Sequence, residues 1–389
     1  MEFAKRMNRV TGSAIREIFS LLARPGLISF AGGNPSPDSF PNNDLARIAS
    51  DILAKNGSHV LQYGGTPGIG RLKETVIGIA AKRGIKASPD EVIITSGSTQ
   101  GIGLASKVLL DPGDAVLTES PTFIGAIQTF LIYEAELFGL KTDEFGVDPA
   151  GLEEKIIKRR PKFVYLIPTF QNPTGRTAAA ERRKLAARIC AKHGVLILED
   201  DPYCDLRYSG EAVLPVKSFD ESNNVIYLMS FSKIISPGLR VGAAVADAQI
   251  IRKFNIAKQG EDLHTPNLSQ EIVEAYVHSG KLEAHIEDIR KSYARKRDAM
   301  LKKLEEFPEG VAYTRPDGGL FIWAELPEGC DAGKIFSECV EKGVAFVPGT
   351  HFFPDGGHKN TMRLNFSMPT VDQIDKGMDI LKEVIKKNI

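Results

Sequence analysis

The stretch Tyr227 to Gly242 carries a lysine, Lys233, two hydroxyls, Ser230 and Ser232, and an arginine, Arg240, on one strand-to-loop turn. An apolar strand over Val225 to Met229 runs into the hydroxyls, and Pro237-Gly238 turns the chain so that Arg240 returns toward the same point. A lysine held there is partly desolvated and surrounded by positive charge, which lowers its pKa and leaves a neutral amine able to form a Schiff base. The serines and the arginine suit a phosphate, the arginine offering paired donors. An aldehyde-reactive lysine beside a phosphate site is what pyridoxal 5'-phosphate requires, and Lys233 is the expected catalytic residue. A surface lysine ahead of a proline-broken loop is the alternative reading of this stretch alone.

Other segments offer matching groups. Asp200 and Tyr203, in Leu198-Glu199-Asp200-Asp201-Pro202-Tyr203, end a buried strand with a carboxylate and a phenol three residues apart. A carboxylate can keep a pyridine nitrogen protonated, and a phenol can hydrogen-bond the ring oxygen; an acidic turn capping a helix would look the same. Asn172, in Phe170-Gln171-Asn172-Pro173-Thr174-Gly175, is first of all a turn residue, and as a site residue its amide would face the same ring oxygen. Gly97-Ser98-Thr99-Gln100-Gly101 joins a strand to a helical run and is a ready anion site, with Ser98 or Thr99 also suited to an N-cap. Phe123 has the ring to stack on a cofactor, or to fill a core. Gly65-Thr66-Pro67-Gly68-Ile69-Gly70 follows no buried strand and is rejected as a dinucleotide loop. The seven histidines show no metal-binding spacing with each other or with the four cysteines, and no G-x-S-x-G elbow is present.

The elements that must position these groups are legible as apolar runs between Glu91 and Asp247, with helical patterns between several of them. The runs at 92–95, 115–118, 163–167, 195–198, 225–228 and 241–245 are apolar at consecutive positions, as in strands of a mainly parallel sheet buried on both faces. Several end in polar residues, and ligands of open α/β sheets bind outside the carboxyl ends of strands, so one pocket is expected there. Ser13 to Leu22 reads as an amphipathic helix with Arg16 off its apolar stripe, and the loop Gly32 to Asp38 leaves backbone open to close approach. A helical, charged pattern over Leu282 to Phe307 precedes a smaller α+β region over 311–389. The expected organisation is an N-terminal segment, 1–35, joining the small domain; a large domain, 36–280; and a small C-terminal domain, 281–389.

At 389 residues, two domains and a large core are expected. Lys plus Arg and Asp plus Glu both number 49, so no global field draws the protein to nucleic acid or to an anionic membrane. Four cysteines without CxxC spacing fit a reducing cytoplasm, and neither a signal peptide nor a membrane-spanning apolar run is seen.

Together the motifs resemble the fold-type I, pyridoxal-phosphate-dependent class I aminotransferases, specifically the 2-aminoadipate and kynurenine branch, over nearly the whole chain. They are I-S-F-A-G-G-N-P at 28–35, L-Q-Y at 61–63, F-Q-N-P-T-G at 170–175, D-D-P-Y at 200–203, S-F-S-K-I-I-S-P-G-L-R-V-G at 230–242 and M-R-L-N-F at 362–366. The resemblance implies a large, mainly parallel seven-stranded sheet domain, a smaller α+β domain, and a homodimer with shared active sites. It further implies Lys233 as the Schiff-base lysine, Asp200 on the pyridine nitrogen, Asn172 and Tyr203 on the ring oxygen, and Phe123 on the ring face. Ser98, Thr99, Gln100, Ser230, Ser232 and Arg240 would line the phosphate, with Tyr63 reaching the neighbouring subunit's phosphate. Arg363 would clamp the substrate α-carboxylate near Gly33 and Asn172, and Arg16 would meet a distal carboxylate. The implied reaction moves an amino group from an L-amino acid such as 2-aminoadipate or glutamate to a 2-oxo acid. Asn34 and Gly64-Gly65 depart from that branch on the substrate side. The cofactor residues alone also serve β-elimination and decarboxylation. A regulator's effector domain is a further alternative, but this similarity starts near residue 10 and leaves no length for a DNA-binding module.

Overall fold

The runs of consecutive apolar residues do form strands, and each is covered on both faces. The computed structural model describes residues 2–9 and 26–389; the helix expected over Ser13 to Leu22, with Arg16, lies outside them. Strands β1 (Ile28–Ser29), β2 (Val92–Thr95), β3 (Ala115–Ser120), β4 (Glu136–Asp143), β5 (Gly146–Val147), β6 (Phe163–Leu166), β7 (Leu196–Asp200), β8 (Val225–Ser230) and β9 (Gly242–Val245) are followed by β10 (Ala312–Tyr313), β11 (Phe321–Glu325), β12 (Val344–Ala345), β13 (Val347–Pro348) and β14 (Thr361–Asn365). The main sheet has the order β2-β9-β8-β7-β6-β3-β4-β5. It has eight strands where seven were expected. The addition is the two-residue β5, which folds back antiparallel on β4 at the sheet edge. Strands β4, β3, β6, β7 and β8 pair in parallel, while β9 is antiparallel to both β8 and β2. The carboxyl ends of β2, β3, β6, β7 and β8 therefore share one edge of the sheet, and β9 begins there.

Helices α1 (Asn42–Val60), α2 (Gly70–Lys82), α3 (Ser98–Leu109), α4 (Ile124–Ile132), α5 (Pro149–Arg159), α6 (Ala180–Lys192) and α7 (Ala248–Gln259) are interleaved with these strands. Period-2 alternation splits each strand between two cores. Phe163 and Tyr165 of β6, Leu198 of β7, and Ile226 and Leu228 of β8 pack with Ile102 and Leu104 of α3, Phe130 of α4 and Phe254 of α7. Val164 and Leu166 of β6, Ile197 of β7 and Val225 of β8 pack on the other face, against Leu152 and Ile156 of α5 and Ala187 and Cys190 of α6. Burial on both faces is what removes the polar alternation from the sequence.

After α8 (Asn267–His278), the long α9 (Leu282–Leu304) leads to a four-stranded antiparallel sheet of order β10-β11-β14-β13, with α10 (Ala332–Glu341) and α11 (Val371–Asn388). Thr370 and Gln373 form a reciprocal capping box at the start of α11. The N-terminal β1 pairs in parallel with β12, tying the Gly32-Gly33 loop to this C-terminal part. Among the described residues, no helix is long and apolar enough to cross a membrane.

Candidate active site

A cavity of about 380 Å³ opens at the shared strand edge. Its wall includes Gly33, Ser98, Thr99, Phe123, Asn172, Asp200, Tyr203, Ser230, Ser232, Lys233, Arg240 and Arg363. Residues spread over more than 300 positions of the chain are thus gathered because five strands end at one edge and β14, from the four-stranded sheet, presents Arg363 toward them.

Lys233 follows the end of β8, partly buried, and its Nζ donates to the Gly33 carbonyl at 2.8 Å. Burial pulls its pKa down from 10.5 to about 8, the Arg363 and Arg240 charges pull in the same direction, and Asp200 opposes them. Near neutrality a useful share of the amine is therefore unprotonated, which is the form that attacks a carbonyl.

Asp200, at the end of β7, is buried, and burial pushes its carboxyl up to about 7, with Asp201 adding to the rise. Opposing that rise are a 2.8 Å hydrogen bond from the Tyr165 hydroxyl to Oδ2, the Ser98 hydroxyl and the Lys233 charge. Its other oxygen, Oδ1, is buried and has no partner. An orphaned buried carboxylate oxygen is costly unless something cationic meets it. A protonated pyridine nitrogen is such a group.

Arg363, in the middle of β14, is buried between aromatic rings, its guanidinium 4.2 Å from the centre of Phe321 and 5.0 Å from that of Phe352. It donates to Asn172 Oδ1 at 2.9 Å and to the Ala31 carbonyl at 2.7 Å, while its Nε has no partner. Burial lowers its pKa to about 10, which still leaves it charged at neutral pH. The buried Tyr203 phenol is raised by burial and restrained by Arg363 and Asn172. Asn172 precedes a cis proline, and its side chain lines the cavity.

The phosphate end is built on α3. Its N-cap is Gly97, with φ 81° and ψ 167° and no side-chain cap, so neither Ser98 nor Thr99 caps the helix as one reading of the sequence allowed. Only glycine occupies that backbone region comfortably. A Cβ on Gly97 would also lie 2.4 Å from Arg240 Nη2. Arg240, itself in a left-handed conformation, donates from Nη2 to the Ser96 carbonyl at 2.9 Å. Ser230 Oγ donates to Ser232 Oγ at 2.9 Å, and both serines line the same cavity. Uncapped helix amides, the hydroxyls of Ser98, Thr99, Ser230 and Ser232, and a guanidinium line one end of the cavity, groups suited to an anion.

Two expected residues fall elsewhere. Gln100 is absent from the cavity wall: its amide accepts from the fully buried Lys258 at 2.6 Å and from Ser96 N at 2.8 Å, and donates to Asp262 at 2.7 Å. Tyr63 is 79% exposed and lies edge-on to His264, outside its own chain's cavity. Gly64 N donates to His264 Nε2, so this exposed loop is pinned to the segment that carries Asp262. Residue-by-residue reading missed Tyr165, the Lys258–Asp262 pair and the ring pair around Arg363. The first and last depend on which residues face each other across strands, which consecutive apolar runs do not reveal.

The model of class I and II aminotransferases matches residues 26–381. An aromatic-amino-acid aminotransferase of Thermococcus litoralis is 42% identical over 394 residues, covering 100% of this chain and 94% of the relative. A 2-aminoadipate transaminase of Thermus thermophilus is 43% identical over 390 residues, covering 99% of this chain and 96% of the relative. The crystal structure of LysN, an α-aminoadipate aminotransferase of Thermus thermophilus complexed with N-(5'-phosphopyridoxyl)-L-leucine, superposes with a TM-score of 0.92 at 40% identity, over 99% of this chain and 97% of that one.

Proposed function

Because the chain belongs to the class I and II aminotransferases, we propose that its amino donors are long acidic L-amino acids, 2-aminoadipate and glutamate, with aromatic and apolar amino acids accepted more weakly. The chain is a pyridoxal-phosphate-dependent aminotransferase. The acceptor is a 2-oxo acid such as 2-oxoglutarate, and the two half-reactions follow in ping-pong order. The observation that supports amino-group transfer, as distinct from the choice of donor side chain, is the meeting, in one cavity, of the Lys233 amine with the partly unpaired guanidinium of Arg363.

Pyridoxal 5'-phosphate, when bound, supplies an aldehyde carbon that takes the amino group and a ring that accepts the Cα electrons. Ser98, Thr99, Ser230, Ser232 and Arg240 would hold its phosphate, Phe123 would cover its ring, Asn172 and Tyr203 would meet the ring oxygen, and Asp200 would hold the proton on the ring nitrogen. Arg363 pairs with the α-carboxylate that every amino acid carries, and so sets the face presented to Lys233 rather than the choice of side chain. The Lys233 amine, its pKa drawn down to about 8 by burial, would in its unprotonated form take the proton from Cα and deliver it across the same face. The hydrogen bond from Lys233 to Gly33 and that from Arg363 to Ala31 bring the 31–33 backbone against the substrate side.

Tyr63, exposed on its own subunit, reaches the phosphate of a second copy in a homodimer with shared sites. Arg16, which lies outside the described residues, is the group we assign to the distal carboxylate of an acidic substrate, in a pocket that also admits apolar side chains. The names of the relatives, spanning aromatic and 2-aminoadipate substrates, support such a two-class pocket. Steady-state kinetics of Arg16→Gln test it: kcat/KM for 2-aminoadipate and glutamate should fall by far more than for leucine or phenylalanine. An equal fall for all four, or none, refutes the assignment of substrate class.

A further inference from the structure

Tyr165 is a fully buried phenol that no part of the proposed mechanism uses. It lies on β6 opposite Leu198 of β7, and the two-residue period of β7 puts Asp200 one step further along the same face. The Tyr165 hydroxyl spans that step and donates to Asp200 Oδ2 at 2.8 Å. Its ring is held edge-on by Phe130 of α4, with centroids 5.5 Å apart, so the hydroxyl has little freedom to leave. The result is a carboxylate with one oxygen pinned from behind and the other, Oδ1, buried without a partner.

We propose that Tyr165 is a positioning residue that holds Asp200 ionised and oriented, with one oxygen left to meet the cofactor's ring nitrogen, and thereby sets how firmly that nitrogen keeps its proton. This rests on the reading of Asp200 given above. The groups facing Asp200 are Tyr165 from β6, Ser98 from α3, Lys233 from the loop after β8, Asp201 next to it in the chain, and the Tyr203 phenol three residues on. Asp201 works against ionisation, while Tyr165, Ser98 and Lys233 favour it, with Tyr165 the largest of the three. The Tyr165 phenol is itself raised well above its ordinary pKa by burial and by Asp200, so it stays a donor throughout the working pH range. Hydrogen bonds to a charged acceptor are among the stronger ones, and deleting the donor leaves the acceptor stranded.

Without the Tyr165 hydroxyl, Asp200 becomes more basic and draws the proton off the ring nitrogen. Less positive charge then remains in the ring, and the nitrogen linked at Lys233 holds its own proton to higher pH. The test is the pH titration of visible absorption of the holoenzyme, together with the Kd of pyridoxal 5'-phosphate for the cofactor-free chain. Tyr165→Phe keeps the ring packing; it should raise the absorption midpoint by roughly half a pH unit and the Kd by about tenfold. Both shifts should vanish when Tyr165→Phe is added to Asp200→Ala, since the hydroxyl then has no carboxylate to act on. A purely structural tyrosine would lower stability equally in both backgrounds and leave the midpoint alone. Site-specific replacement of Tyr165 by 3-fluorotyrosine, a stronger donor of nearly the same shape, should move the midpoint downward and serves if Tyr165→Phe does not fold. An unmoved midpoint in either variant, with Asp200→Ala shifting it, overturns the inference and leaves the Asp200 reading standing. An Asp200→Ala chain with unchanged midpoint and Kd removes both.

Discussion

Replacing Lys233 with methionine should stabilise the cofactor-free protein at neutral pH. In the folded chain, burial and two arginines lower the lysine from its ordinary 10.5 to about 8. That drop corresponds to about 3 kcal/mol of destabilisation wherever the unfolded chain carries the charge. The sign follows from proton counting: between pH 8 and 10.5 the unfolded state binds more protons than the folded state, so wild-type stability rises with pH through that window. The penalty is complete below about pH 8 and gone above about 10.5. Lys233→Met removes it but strands the Gly33 carbonyl, which otherwise accepts from Nζ, at a cost of about 1 kcal/mol. The variant should therefore be more stable than wild type by about 2 kcal/mol at pH 7. It should be less stable by about 1 kcal/mol above pH 10.5. Urea unfolding of both cofactor-free proteins from pH 7 to 10.5 reads the difference, and the two stability curves should cross inside the window. A variant less stable at pH 7, or a difference that does not change with pH, refutes the depressed lysine and with it the source of the neutral amine.

Gly97→Ala should raise the Kd for pyridoxal 5'-phosphate by at least about tenfold, because the new methyl displaces the Arg240 guanidinium from the phosphate cup. The same change forces a left-handed backbone on alanine and should cost about 1–3 kcal/mol of stability; an unchanged Kd in an absorbance titration contradicts the placement of the phosphate. Mixing inactive Lys233→Ala chains with impaired Tyr63→Ala chains should restore activity, since a heterodimer contains one site with both residues intact. No recovery, with subunit exchange verified by mass, rules out sharing through Tyr63.

The parallel sheet was legible because residues buried on both faces leave uninterrupted apolar runs, as in Val92–Thr95 and Val225–Ser230. The strand Glu136–Asp143, next to the sheet edge, was not, because it is mostly exposed or half-exposed and carries Lys141 and Asp143, and neither was the two-residue Gly146–Val147 beside it. Lys233, Asp200, Tyr203 and Asn172 could be picked out because each follows an apolar strand with a chemically distinctive group. Gln100 shows the limit of position without orientation. It lies in the α3 first turn as expected, yet its amide is consumed by Lys258 and Asp262, which come from the end of α7 and the loop after it. Tyr165 was read only as part of an apolar run, and its contact with Asp200 exists through the β6–β7 register, a relation between strands that no single segment contains. Arg363 was placed by resemblance, whereas its ring pair depends on the neighbouring strand β11 and the turn after β13, and its bond to Ala31 on where the chain runs after β1.

The most direct measurement follows the nitrogen itself. The holoenzyme is incubated with 15N-labelled 2-aminoadipate and unlabelled 2-oxoglutarate, and the products are identified by mass spectrometry. The account predicts 15N-glutamate and 2-oxoadipate in equal amounts, with no transfer by Lys233→Ala. Release of the label as ammonia, loss of carbon dioxide from the donor, or transfer that survives Lys233→Ala contradicts it.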